Sequence, residues 1–160
     1  MYKDLTIFLN EIDEEYGGDI TFIPKVSKDL INYTEEKLNY KLPKIFKYFY
    51  KNETNGLIID NKIIYSIFDK NQKKTYSNNL IRANNPKTSY WFNYKPEIFN
   101  DYLVIGSDIN ICFAIHKHND IENPSIYICE NPNSKGEVIL EKLDIDLKNL
   151  IKIMINNAFA

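Results

Sequence analysis

Hydrophobic periodicity changes near Gly56, and this change constrains the fold more than any other feature of the sequence. Before it, apolar residues recur every three or four positions, a spacing that places them on one face of a helix. The first such stripe is Leu5, Phe8, Leu9, Ile12 and Tyr16. After it, short β-branched and aromatic segments alternate with turn residues, as in sequential antiparallel strands. Helices followed by a sheet predict an α+β fold.

The predicted helices have recognisable ends. Ser27 is a good N-cap for the second helix, and Pro43 suits the first position of the third because its fixed φ is helical. Asn55-Gly56 ends that third helix in a left-handed residue. The predicted helices are 3–16, 27–39, 43–54, a polar segment 70–85, and a last helix beginning at Asp146.

The predicted strands are bounded by Gly, Asn, Asp, Ser and Pro, which favour turns. They are 57–59, 62–68, 102–105, 111–116, 125–129 and 138–143. We therefore expect an antiparallel sheet of about four to six strands, packed against the N-terminal helices and one C-terminal helix. Residues 1–160 are predicted to form a single domain.

Composition and charge exclude several classes of protein. The 160 residues are 44% hydrophobic and 26% charged, which is typical of a folded domain and not of a disordered chain. A formal charge of -2 excludes a basic coat over the whole surface. No apolar run approaches the roughly 18 residues needed to span a membrane. Acids interrupt the region where a signal peptide would be apolar, so we expect a cytoplasmic protein.

Catalytic motifs are missing from the sequence. It contains no G-x-S-x-G, no phosphate-binding glycine loop and no H-E-x-x-H. The carboxylate pairs Glu14-Glu15 and Glu35-Glu36 point about 100° apart on a helix, so we interpret them as solvated helix faces. The sequence therefore offers no recognisable catalytic motif.

Two small clusters are candidates for reactive sites. His116 and His118 share a strand face, and Asp120 or Glu122 would complete a metal site, but exposed histidines at the end of a strand are the simpler interpretation. Cys112 and Cys129 lie in predicted strands and are interpreted as buried free thiols. The sequence therefore predicts no metal site.

The net charge conceals an uneven distribution. Residues 97–146 contain ten acids against three lysines, a local charge of -7 with histidines neutral. An acidic face bearing aromatic side chains suits a basic protein partner, although acidic turns alone explain the same count. The contact residues predicted for such a partner are Asp108, Asp120, Glu122, Glu130 and Tyr127.

Residues 62–95 have the opposite bias, with seven bases against Asp69 alone, and several aromatic residues interleaved. This combination is compatible with single-stranded nucleic acid. A lysine-rich solvated helix followed by core-filling aromatics is the simpler interpretation, since Arg82 is the only arginine. A nucleic-acid-binding module therefore stays open as the alternative function.

A family resemblance follows from the order of these segments. Residues 36–49 read EKLNYKLPKIFKYF and are followed by Thr54-Asn55-Gly56. With the later strand 102–106, the segment 125–128 and the closing helix, this order resembles the SUKH (Smi/Knr-type) superfamily. The resemblance covers residues 27–158 and leaves residues 1–26 as a helical extension.

This resemblance implies an α+β domain that is not an enzyme and that has neither a cofactor nor a small-molecule substrate. Bacterial members are mostly cytoplasmic immunity proteins that bind polymorphic or contact-dependent toxins, often nucleases, and eukaryotic relatives regulate cell-wall synthesis. Leu42, Pro43, Asn55 and Gly56 match the family as structural residues. The resulting hypothesis is an immunity protein that occludes a basic toxin stoichiometrically. A nucleic-acid-binding or regulatory protein-interaction module is the alternative.

Overall fold

Helices precede the sheet, and one helix closes the chain. The computed structural model describes residues 1–92, 95–118, 122–130 and 138–159. Its helices are α1 (Tyr2–Tyr16), α2 (Lys28–Leu38), α3 (Lys44–Tyr48), α4 (Leu80–Ala83) and α5 (Leu147–Phe159). Its strands are β1 (Thr21–Phe22), β2 (Leu57–Ile59), β3 (Lys62–Ile64), β4 (Tyr102–Asp108), β5 (Ile111–His116), β6 (Ile126–Glu130) and β7 (Leu140–Lys142). The predicted α+β class is confirmed.

The sheet is an antiparallel meander in which each strand pairs with its neighbours in chain order, from β1 to β7. Within the described residues it has seven strands, slightly more than the four to six predicted. The strand that no sequence pattern indicated is β1, because two residues cannot display an alternation.

The two faces of the sheet differ in what covers them. One face, here called the core face, carries six apolar side chains that are each at most 1% exposed: Leu57, Ile59, Ile64, Leu103, Ile115 and Ile126. They form one hydrophobic cluster with Leu5 and Leu9 of α1, Phe46 of α3 and Leu150 of α5. The opposite side, here called the outer face, carries Ile58 and Ile63, which are half-buried.

The first helix packs beside the last one. Leu5, Leu9 and Ile12 of α1 are buried, as the predicted stripe requires. Tyr16 stacks on Phe159 with ring centroids 4.7 Å apart. The segment predicted to be an extension therefore contributes to the same core as the sheet.

The segment between β3 and β4 departs from its prediction. Residues 70–85 form a 3-10 turn, Lys73–Thr75, and the four-residue α4 instead of one polar helix. The Thr75 hydroxyl donates to backbone carbonyls, and the Asn79 side chain caps Arg82 N–H at 2.9 Å. Such side-chain bonds compete with a continuous helix. The amide of Asn84 then bonds both N–H and C=O of Val104 in β4.

The Thr54-Asn55-Gly56 turn joins the helical half to the sheet through buried polar contacts. The Asn55 side chain is fully buried; its oxygen accepts from Ile67 N–H at 2.7 Å and its Nδ2 donates to Ile67 C=O at 2.9 Å. The Thr54 hydroxyl accepts from Ile23 N–H at 3.2 Å. Gly56 has φ +95°, and an added Cβ would lie 2.6 Å from the carbonyl oxygen of Ile64. Asn55 and Gly56 thus join the helical half to the sheet through a buried amide and a residue of positive φ.

The Leu42-Pro43 segment is held by a carboxylate that the sequence interpretation placed in solvent. Glu35 is 4% exposed, and its Oε2 accepts from Leu42 N–H at 2.7 Å and faces Lys47 Nζ at 3.2 Å. The prediction for Glu35 was therefore wrong, whereas Glu36 is exposed as expected. Pro43 is the N-cap of α3, one residue before the predicted position.

Replacing Asn55 tests the buried turn. Asn55→Ala leaves the Ile67 N–H and C=O unpaired in the core, and we expect a loss of about 2–4 kcal/mol in unfolding free energy. Asn52→Ala, at an exposed position in the preceding turn, should change it by less than about 0.5 kcal/mol. Urea unfolding followed by circular dichroism measures both, and equal losses would refute the assignment.

The adjacent carboxylates of α2 supply a second matched pair. Glu35→Ala should destabilise the protein by about 2 kcal/mol because Leu42 N–H loses its buried acceptor. Most of this loss is assigned to that hydrogen bond, since the Lys47 side chain is 41% exposed and its ion pair is screened. Glu36→Ala should be neutral within about 0.5 kcal/mol in the same urea titration. A neutral Glu35→Ala would contradict this role.

Candidate protein-binding surface

Three aromatic rings meet on the outer face where β4, β5 and β6 run side by side. Tyr102 pairs with His116, and Ala114 pairs with Tyr127, so these side chains point to one side of the sheet. The Tyr102 ring lies 4.8 Å from that of His116 and 5.2 Å from that of Tyr127, edge to face in both cases. All three residues are half-buried. We call Tyr102, His116 and Tyr127 the aromatic cluster.

Hydrogen bonds and nearby charges surround the rings of the aromatic cluster. His116 Nδ1 accepts from the backbone N–H of His118 at 3.1 Å, and His118 Nε2 lies 3.5 Å from Asp101 Oδ1. Burial, followed by the charges of Tyr127 and Asp101, raises the pKa of Tyr102. Its hydroxyl therefore stays protonated at neutral pH and can donate or accept a hydrogen bond. Rings with polar tips on a sheet face are suited to contact with another protein.

The predicted contact residue Asp108 lies at the other end of β4. Its Oδ1 is 3.7 Å from Lys62 Nζ, and both side chains are mostly buried, at 20% and 10% exposed. This neighbour offsets much of the negative charge that Asp108 would offer to a partner. Glu130 pairs with Ile111, which pairs with Asp108, so the two acids share one row across the sheet. One strand separates them, a distance of about 10 Å.

The remaining predicted contacts lie elsewhere. Glu122 is exposed and forms an ion pair with Lys44 of α3 at 3.1 Å, while its carbonyl accepts from Ile45 N–H at 2.9 Å. Asp120 is outside the described residues. Tyr127 belongs to the aromatic cluster, and Glu130, three residues along the same strand, points to the opposite face. The structure therefore distributes the four described positions over three places.

Sequence reasoning missed a second acidic region, on α1 and the loop after it. Its members Glu11, Asp13, Glu14, Glu15 and Asp19 are all exposed. The signal was present in the sequence, because residues 4–24 contain six acids and no base. The lysines that follow this segment offset its negative charge in the helical half as a whole. An acidic surface is thus not confined to the sheet half.

Comparison with known families identifies the chain. Residues 25–144 match the model of the SMI1 / KNR4 family (SUKH-1), which is well over half of the 160 residues. The chain belongs to this family. A search of curated proteins returned no match to the chain. The predicted resemblance is confirmed.

The SUKH-1 match covers α2 through β7 and includes Leu42, Pro43, Asn55 and Gly56. Helices α1 and α5 lie outside it, although both pack on the shared core. The predicted core, 27–158, extended through α5 instead. The assignment of residues 1–160 to one domain stays a prediction.

The basic segment, residues 62–95, contributes Tyr65, Trp91 and Phe92 to the core. Trp91 and Phe92 are 4% and 0% exposed, and Trp91 Nε1 donates to the Tyr65 hydroxyl at 3.0 Å. They therefore present no ring for stacking with a base, as the simpler interpretation of the sequence proposed. Tyr76 and Tyr90 are exposed, and Tyr94 is outside the described residues.

The histidine pair does not gain a third ligand within the part of the chain that the structure describes. Across residues 1–92, 95–118, 122–130 and 138–159, no three His, Cys, Asp or Glu side chains are grouped for metal binding. The ring centroids of His116 and His118 are 5.5 Å apart. In the same described ranges no helix is long and apolar enough to cross a bilayer.

The two cysteines are buried and face each other. Cys112 in β5 pairs directly with Cys129 in β6, and both thiols are free. A hydrogen bond between the thiols, followed by burial, raises the pKa of Cys112. The same bond lowers the pKa of Cys129. The Cys129 thiol also donates to the carbonyl of Glu130 at 3.3 Å, and both residues are buried in the sheet as predicted.

Removing the Cys112 thiol tests this arrangement. In Cys112→Ala, Cys129 loses its hydrogen bond, so its pKa should rise and its alkylation by iodoacetamide at fixed pH should slow. The pH dependence of alkylation, followed by mass spectrometry, measures the shift. Full reaction of both thiols is expected only after unfolding in urea. Unchanged alkylation of Cys129 in the variant would contradict the hydrogen bond.

Proposed function

We propose that this protein is an immunity protein that binds and neutralises a cognate polymorphic or contact-dependent toxin in the cytoplasm. Membership of the SMI1 / KNR4 (SUKH-1) family over residues 25–144 is the observation that carries the proposal. The mechanism is stoichiometric occlusion: the protein covers the substrate groove of the toxin and performs no chemistry of its own. Nucleases, with their basic substrate grooves, are the toxin class that fits best.

Charge and exposure support a surface on the sheet half of the molecule. Glu130 is exposed at the end of β6, and Glu141, on β7, is exposed opposite Ile128. Both therefore lie on the same side of the sheet edge. Tyr127 lies in the aromatic cluster on the outer face. These acids favour a basic partner by steering it and by excluding acidic proteins, whereas the half-buried rings on the opposite face supply apolar contact area.

The five predicted contacts enter this proposal with different weights. Glu130 and Tyr127 are proposed as direct contacts, because one is exposed and the other forms part of a ring surface. Asp108 and Glu122 already have lysine neighbours. We propose that these two residues, together with Asp120, contribute to the negative electrostatic potential of the surface. A protein-interaction module of this kind requires neither cofactor nor metal.

Co-purification with the product of the neighbouring toxin gene tests the proposal. We expect an equimolar complex and rescue of toxin-dependent growth arrest when the two are co-expressed. Glu130→Lys and Tyr127→Ala should each weaken the complex about tenfold or more, measured by calorimetry. Charge at Asp108, Asp120 and Glu122 is tested by Asp108→Asn, Asp120→Asn and Glu122→Gln, with smaller expected losses.

The control places the same charge change on the other acidic region. Glu14→Lys reverses an exposed acid of α1, outside the family match. It should leave both affinity and rescue unchanged. If Glu14→Lys weakens the complex and Glu130→Lys does not, the toxin binds the α1 side. If no toxin from the neighbouring gene binds at all, the proposed function is wrong.

A further inference from the structure

A polar groove of about 590 Å³ separates the end of α2 from the segments that flank β4. Its walls come from residues 37–40, from 81 and 84–86, from Pro96 and 99–100, and from 117–118 at the end of β5. This volume lies within the range typical of sites for small ligands and peptide segments. The acids proposed above to contact a toxin are not part of its lining.

The lining of this groove is basic in a protein of net charge -2. It includes Lys37, Lys117 and His118 and no carboxylate. Directly adjacent in the chain are four further bases, Lys41, Arg82, Lys87 and Lys95, and three acids, Glu36, Glu97 and Asp101. Six lysines and arginines against three acids give the region a charge of +3. The groove therefore attracts anions even though the whole chain repels them.

Lys117 is the least exposed of the basic residues that line the groove. Its Nζ donates to the carbonyl of Phe99 at 2.6 Å and lies 5.7 Å above the ring of Tyr40. Burial lowers the pKa of Lys117, and the charge of Asp101 only opposes this shift. No carboxylate among the described residues lies within ion-pair distance of this ammonium. Burial disfavours the charged form of a lysine that has no ion-pair partner. An anion that binds beside the ammonium stabilises its charge and offsets this cost of burial.

We propose that this groove binds an extended acidic peptide segment. One carboxylate pairs with the ammonium of Lys117, and a second pairs with Lys37, which is exposed on α2. The side chains of Leu38 and Ile81 contact the methylene groups of the peptide's side chains. The partner is thus opposite in charge to the toxin proposed above, and the two interactions are independent.

The aromatic residues of the groove favour a peptide over a nucleic acid. The Tyr40 ring is covered on one side by Lys117, and Phe99 is 7% exposed. Binding of single strands relies on open rings on which bases stack. The groove offers cations and amide groups instead, which suit carboxylates and a peptide backbone.

Fluorescence anisotropy with a short fluorescein-labelled poly-glutamate peptide tests the proposal. We expect binding at low ionic strength that weakens as salt is added, and no binding of the matching poly-glutamine peptide. Lys117→Met keeps the length of the side chain and removes its charge; Lys37→Gln does the same at an exposed position. Each should weaken binding about tenfold. Lys28→Gln, at the opposite end of α2, should have no effect.

Several results would overturn the proposal. The first is absence of peptide binding at low salt. The second is an affinity that is equal for Lys117→Met, Lys37→Gln and the wild type. The third is equal binding of an oligothymidylate of matched charge, because that result indicates general capture of polyanions. Amide chemical shifts should change at Asn39, Asn100 and His118, and shifts confined to other surfaces would also refute it. Thermal melting verifies that Lys117→Met folds; if it does not, the exposed Lys37→Gln decides. Toxin binding is measured separately, so failure here leaves the proposed function standing.

Discussion

The bidentate contact of the Asn55 amide with the backbone of Ile67 connects the helical half of the molecule to the sheet. A buried amide that satisfies both an N–H and a C=O replaces one rung of a β-ladder at a place where no strand is present. The Tyr50 hydroxyl, also buried, donates to the carbonyl of Tyr65 at 2.7 Å. These contacts join the turn after α3 to the segment after β3, so the helices and the first hairpin are fixed relative to each other.

The groove depends on that junction. After β3 the chain turns at Ser66, whose N–H donates to Asn78 C=O, and it reaches β4, where the Asn84 amide bonds the backbone of Val104. This path places residues 81–86 opposite the end of α2, which forms the basic groove. The groove is thus a consequence of the segment that joins β3 to β4, whereas the aromatic cluster depends on the register of β4, β5 and β6.

Periodicity and turn residues were sufficient to predict α1, α2, α3, α5 and the antiparallel order of the main strands. They were insufficient for Glu35, because a carboxylate next to Glu36 gives no sign that it will accept the N–H of Leu42 seven residues later. They were also insufficient for residues 70–85, where side-chain bonds of Thr75 and Asn79 outcompete the helix. The opposition of Cys112 and Cys129 depends on the register of β5 and β6, which the sequence does not specify.

The distribution of charge over the surface determines which partners the molecule attracts. A net charge of -2 suggested a molecule with little electrostatic preference, yet acids are concentrated on α1 and at the ends of the sheet, and bases surround the groove. The acids of the sheet are not equivalent, because Lys62 offsets Asp108 and Lys44 offsets Glu122, while Glu130 has no lysine partner among the described residues. Counting charges along a sequence therefore identifies the half of the molecule in which to look. Ion pairs formed on folding decide which of those charges a partner meets, since an acid already paired with lysine offers little net field.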